Sequence, residues 1–136
     1  MLTPVRAYTL LCPPGEAGFL LESVEGGERL ARYSFIGFEP KPLETKGEDP
    51  LAALRSVAAE STAPVKGIPR FHGGAVGYLG YETARHFERL PVAAGAAPPM
   101  PESAFLRAED LAVFDHVTRR LKLLTIYPSA CRPRPL

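Results

Sequence analysis

Few residue types that do acid–base or covalent chemistry stand close together in this chain. The histidines, His72, His86 and His116, are isolated from cysteine and from one another. Carboxylates pair at Glu48-Asp49 and Glu109-Asp110. Such a pair can divide the roles of general acid and base. Here one borders a helical pattern and the other a β pattern, so they read as a helix cap and a strand end. The glycines at 73, 74, 77 and 80 could converge backbone N–H groups on an anion. They are interleaved with Val76, Tyr78, Leu79 and Tyr81, and no lysine follows, which fits a strand that admits a close neighbour. Cys12 and Cys131 form no CxxC pair, which argues against a disulfide framework and a structural zinc site. No phosphate-loop, nucleophile-elbow, HExxH or EF-hand pattern is present. Glu22-Ser23 closes an apolar run and, from the residues alone, reads as the end of a strand.

The elements that would position these residues are mostly β. Val5–Leu11 alternates well enough for a strand, stopped by Cys12-Pro13-Pro14-Gly15. Phe19-Leu20-Leu21 is a short buried strand, followed by a turn signal at Glu25-Gly26-Gly27-Glu28. Arg32–Phe38 is again β-like, and Pro40 and Pro42 bar a central strand after it. A helix is marked by Asp49 as cap, Pro50 in its first turn and Leu51, Leu54, Val57 and Ala58 on one face; Pro64 ends it. Phe71–Tyr81 is a glycine-laden β segment and Glu82–Leu90 a short helix. Val92–Pro101 reads as a surface loop. Leu111–Asp115 and Leu121–Tyr127 pair as strands, with the reversal at 116–120. The class this predicts is α+β, a largely antiparallel β-sheet with two or more short helices.

Fifteen prolines and twelve glycines in 136 residues exclude a helix bundle or coiled coil. At 46% hydrophobic and 23% charged residues the chain is globular, with length for one domain and a modest core. A net charge of +1 gives nucleic acid and anionic membranes no compositional support. The basic groups Arg119-Arg120-Lys122 and Arg132/Arg134 are small and read as solvated turn and tail charges. Without a signal-peptide pattern or an 18-residue apolar span, the expected setting is cytoplasmic.

Four strings carry more information together than singly. They are Phe19–Ser23 (FLLES), Gly26–Gly37 (GGERLARYSFIG), Gly73–Glu82 (GGAVGYLGYE) and Leu111–His116 (LAVFDH). In this order and spacing the chain resembles the N-terminal region of anthranilate synthase component I, from about Thr3 to Tyr127. The near relative, aminodeoxychorismate synthase component I of the folate branch, shares the layout.

The resemblance implies a partial anthranilate synthase component I-like fold over 1–127 and a non-family, disordered tail over 128–136. It implies that the C-terminal chorismate-binding domain is absent, and with it the magnesium-binding glutamates and catalysis, as in a truncated or split gene. The expected function is a regulatory and assembly region, catalytically incomplete alone. Its parent lyase converts chorismate and glutamine or ammonia to anthranilate and pyruvate in tryptophan biosynthesis. The implied partners are L-tryptophan as feedback effector, the chorismate-binding domain and a glutamine amidotransferase subunit. No cofactor is expected in this chain, and Mg2+ only in the parent's other domain. Carried over by position, the tryptophan-binding residues are Leu21, Glu22 and Ser23, with Arg32 and Tyr33 on the neighbouring strand. Glu22 would accept from the ammonium and Ser23 would offer a hydroxyl, while Leu21 and Tyr33 would wall the indole. The rival from another class is a non-enzymatic subunit-interaction module.

Overall fold

The computed structural model describes residues 2–22, 32–44, 49, 51–60, 66–91 and 100–126. The turn signal at 25–28, Ser23, Cys131, most of the expected 92–101 loop and the tail lie outside these residues. The described residues fall into two compact units. One is drawn from Met1–Pro40, Pro69–Gly73 and Ala108–Leu136, the other from Lys41–Ile68 and Gly74–Arg107.

The first unit opens with helix α1 (Pro4–Leu11), where alternation predicts a strand. The reason for the difference lies at its start. Thr3 Oγ1 accepts the Arg6 N–H at 3.2 Å, and Pro4 supplies a fixed φ to the first turn. Ala7, Tyr8 and Leu11 then turn inward at helical spacing. Strands β1 (Gly18–Glu22) and β2 (Tyr33–Phe38) follow, and after the second unit β6 (Asp110–Asp115) and β7 (Arg120–Thr125). They form an antiparallel sheet in the order β1-β2-β6-β7. The β6–β7 pairing and the reversal between them agree with the sequence reading.

Register decides which side chains share a face. Leu20, Ile36, Ala112 and Leu123 stand in one row, and Phe19, Gly37, Leu111 and Leu124 in the next. The first face packs on α1, where Ala7, Cys12, Ile36 and Ala112 form the core, flanked by Tyr8, Leu11, Leu20, Phe38 and Phe114. On the other face Phe71 meets Phe35 edge-on at 5.3 Å and Phe19 at 6.5 Å. Gly37 is required there, because a Cβ would collide with the Phe19 ring.

The second unit holds β3 (Lys41–Leu43), α2 (Ala52–Ala59), β4 (Gly74–Leu79), a 3-10 helix (Tyr81–His86) and β5 (Ser103–Ala108). Its sheet runs β3-β5-β4, so the Pro42 strand is at an edge, as its missing donor requires. Asp49 Oδ1 accepts the Leu51 N–H at 2.9 Å, but α2 starts later than expected: its N-cap is Leu51, two residues after Asp49, and carries no side-chain capping bond. The Leu51 N–H and then the Arg55 guanidinium hold the Asp49 carboxyl below its ordinary value. Leu51, Leu54 and Val57 are half-buried, while Ala58 is exposed. The helix expected over Glu82–Leu90 is the shorter 3-10 turn. Strand β5 has no counterpart in the sequence reading. It and the residue before it explain two glycines of the run: a Cβ at Gly77 would strike the Ala104 carbonyl and the Phe105 side chain, and one at Gly80 would lie 2.9 Å from the Glu102 carbonyl.

Candidate functional site

The polar residues of the first unit gather where β1 ends, β2 begins and β6 ends. Glu22 stands opposite Ser34, and Tyr33 opposite Asp115. Pleating sends neighbouring residues to opposite faces, so this rim carries two clusters.

One cluster centres on Asp115, whose residue is 1% exposed. Arg32 grips its carboxylate with Nε at 3.2 Å and Nη2 at 3.0 Å. Lys122 Nζ lies 3.9 Å away. The Val117 and Thr118 N–H groups donate to Oδ1 at 3.2 and 3.1 Å. The Arg32 guanidinium, helped by these turn donors, holds the Asp115 carboxyl well below the usual carboxylate range against the opposing effect of burial. Arg32 is held above its own ordinary value by the same hydrogen bond. Its guanidinium also lies over the Tyr33 ring, 4.9 Å from the centroid, and Tyr33 packs on Phe35 at 5.9 Å.

The other cluster is Glu22, Ser34 and His116. Ser34 is buried, and its hydroxyl reaches Glu22 Oε1 at 3.4 Å and His116 Nε2 at 2.7 Å. The His116 ring stacks along Phe114 at 6.4 Å, and the His116 backbone N–H donates to the Arg32 carbonyl at 2.9 Å. Glu22 and His116 are exposed.

Of the residues expected to bind tryptophan, four are described, and they meet at this one rim. Their side chains divide between its faces. Leu21 and Tyr33 share the face of Asp115, whereas Glu22 shares the face of Ser34 and His116. Arg32 joins the Asp115 cluster by contact. Ser23 lies outside the described residues. Sequence reasoning passed over Ser34, Asp115 and His116. Asp115 had a usable signal, an aspartate directly before a chain reversal, where its side chain caps turn N–H groups. Ser34 and His116 had none, because only register brings them to Glu22. Among the described residues no group of three or more His, Cys, Asp or Glu side chains is arranged to hold a metal ion.

Fold and site define a small α+β module with antiparallel sheets and few short helices, one sheet of which ends in a polar rim. No family model matches the chain. It is 63% identical over 129 residues to anthranilate synthase component 1 of Streptomyces coelicolor, covering 95% of this chain and 25% of that protein. It is 42% identical over 130 residues to a Schizosaccharomyces pombe protein named "Probable anthranilate synthase component 1", covering 92% and 26%. Among solved structures, anthranilate synthase component I from Streptococcus pneumoniae matches with a TM-score of 0.57 at 25% identity, over 94% of this chain and 30% of that one. The chain belongs to the anthranilate synthase component 1 family. It spans about a quarter of the length of the curated relatives it matches.

Proposed function

We propose that this chain is the regulatory and assembly region of an anthranilate synthase component I, acting in tryptophan biosynthesis. Within it, the rim formed by β1, β2 and β6 contributes to the effector pocket for L-tryptophan. Conversion of chorismate belongs to a chorismate-binding domain that supplies the Mg2+ site, with ammonia delivered by a glutamine amidotransferase subunit. The observation that carries the reading is the 63% identity across 95% of this chain, which corresponds to 25% of the relative. The rim is chemically suited to a zwitterionic amino acid with an aromatic side chain. Glu22, the last residue of β1, offers an exposed carboxylate to an ammonium. Tyr33, the first residue of β2, offers an aromatic face, and Leu21 an apolar neighbour. An effector lying across the strand ends reaches both faces of the sheet.

The test is a chimera in which this chain replaces the matching quarter of the Streptomyces coelicolor protein. Anthranilate formation is measured against L-tryptophan. Feedback inhibition is expected, and Ser23→Phe is expected to relieve it while leaving uninhibited turnover largely intact. Inhibition unchanged by Ser23→Phe would move the effector site elsewhere. Loss of turnover and inhibition together would make that strand end structural.

A further inference from the structure

We infer that Ser34 and His116 are positioning residues that aim the Glu22 carboxylate at the ammonium of the bound amino acid; the inference rests on the tryptophan reading above. Ser34 is 2% exposed, so its hydroxyl draws its partners from the protein. It has one proton and two neighbours, Glu22 Oε1 at 3.4 Å and His116 Nε2 at 2.7 Å. A carboxylate can only accept. Were Ser34 to give its proton to His116, hydroxyl lone pairs would face the Glu22 oxygen. The arrangement with every contact attractive puts the proton on His116 Nε2, which donates to Ser34 Oγ, which in turn donates to Glu22 Oε1. The His116 ring is held by stacking along Phe114, and its main chain by the backbone N–H that donates to the Arg32 carbonyl. The chain of bonds thus runs from the residue after β6 through β2 to the last residue of β1. It engages one carboxylate oxygen and leaves the exposed side of the group to the ligand. A carboxylate oriented beforehand loses less freedom when it binds an ammonium, and the benefit falls only on ligands that carry one.

That selectivity separates a positioning role from a structural one. Ligand-detected NMR titrations on the 136-residue chain would compare L-tryptophan with indole-3-propionate, which keeps the indole and carboxylate but lacks the ammonium. The chain contains no tryptophan, so the indole signals belong to the ligand. Ser34→Ala and His116→Leu are each expected to weaken L-tryptophan binding about fivefold to tenfold, the worth of one hydrogen bond, and to leave indole-3-propionate unchanged. His116→Gln, which retains an N–H donor, is expected to restore most of the loss. Equal weakening of both ligands, or tryptophan binding indifferent to both variants, would overturn the positioning role and leave the tryptophan reading standing. A wild-type chain that binds no L-tryptophan at millimolar concentration would overturn the tryptophan reading itself, and this inference with it.

Discussion

Asp115 joins three parts of the chain at one carboxylate: Arg32 before β2, Lys122 on β7 and the 116–119 reversal. Because the Arg32 side chain is 46% exposed, solvent screens the ion pair and its net worth is modest. The turn donors are less replaceable. Asp115→Asn keeps an acceptor for them and is expected to cost about 1–2 kcal/mol. Asp115→Ala strands both N–H groups and is expected to cost about 3 kcal/mol, read from urea midpoints. The sign of the pH effect follows from the lowered folded-state value of Asp115. A carboxyl depressed on folding contributes stability that is whole above its unfolded value, about pH 3.9, and is lost as pH falls toward the depressed one. Asp49, also lowered, acts in the same direction. Urea midpoints should therefore fall between neutral pH and about pH 2.5, and fall less in Asp115→Asn. An equal fall in both proteins would mean that Asp115 is not the group being titrated. At this scale the sequence was informative where a residue's neighbours in the chain reveal its role, as Asp115 before a reversal does. Ser34 and His116, 82 positions apart, carry no local sign of their contact.

Elements were legible where their signals were local. Strands β1, β2, β6 and β7 follow their apolar, branched and aromatic runs, and α2 follows its apolar face. Helix α1 was misread because Val5–Leu11 satisfies alternation loosely, while the deciding signals, Thr3 and Pro4, precede it. Thr3→Ala removes the cap on the Arg6 N–H and is expected to cost about 1 kcal/mol of stability, with Thr3→Ser nearly neutral. Strand β5 was missed, and with it the reason for Gly77 in β4. The glycine spacing suggested a close neighbour without saying which. The neighbour is the backbone around Ala104 and Phe105, so Gly77→Ala must displace main chain rather than a flexible side chain. The expected cost is about 1–3 kcal/mol in the melting of the second unit, whereas alanine at Gly67, where a Cβ meets nothing, strains only the local backbone. A Gly77→Ala protein as stable as the parent would show that the β4–β5 approach is looser than described.

For the whole molecule, the apolar surface left open sets the expected behaviour in solution. On the sheet face that packs against α1, the helix covers the rows of β1, β2 and β6, and the pattern continues onto β7 without cover. Leu123, in register with the buried Ala112, is 70% exposed, and Leu121 beside it is also exposed. Leu10 on α1 is 68% exposed. Isolated surface leucines are ordinary, but a row that continues a buried core across an edge strand favours association. Sedimentation at increasing concentration is expected to detect self-association, accompanied by binding of an apolar-surface dye. Leu123→Lys puts a charge on the edge strand without disturbing a buried contact. It should lower both signals and leave the urea midpoint within about 0.5 kcal/mol, as surface changes usually do. Sedimentation as a monomer at all concentrations would mean that the row is tolerated as solvent-exposed surface. Association persisting in Leu123→Lys would place the contact on another surface, of which the second unit offers one at Tyr81, the first residue of the 3-10 helix, and Phe87, just after it, both exposed.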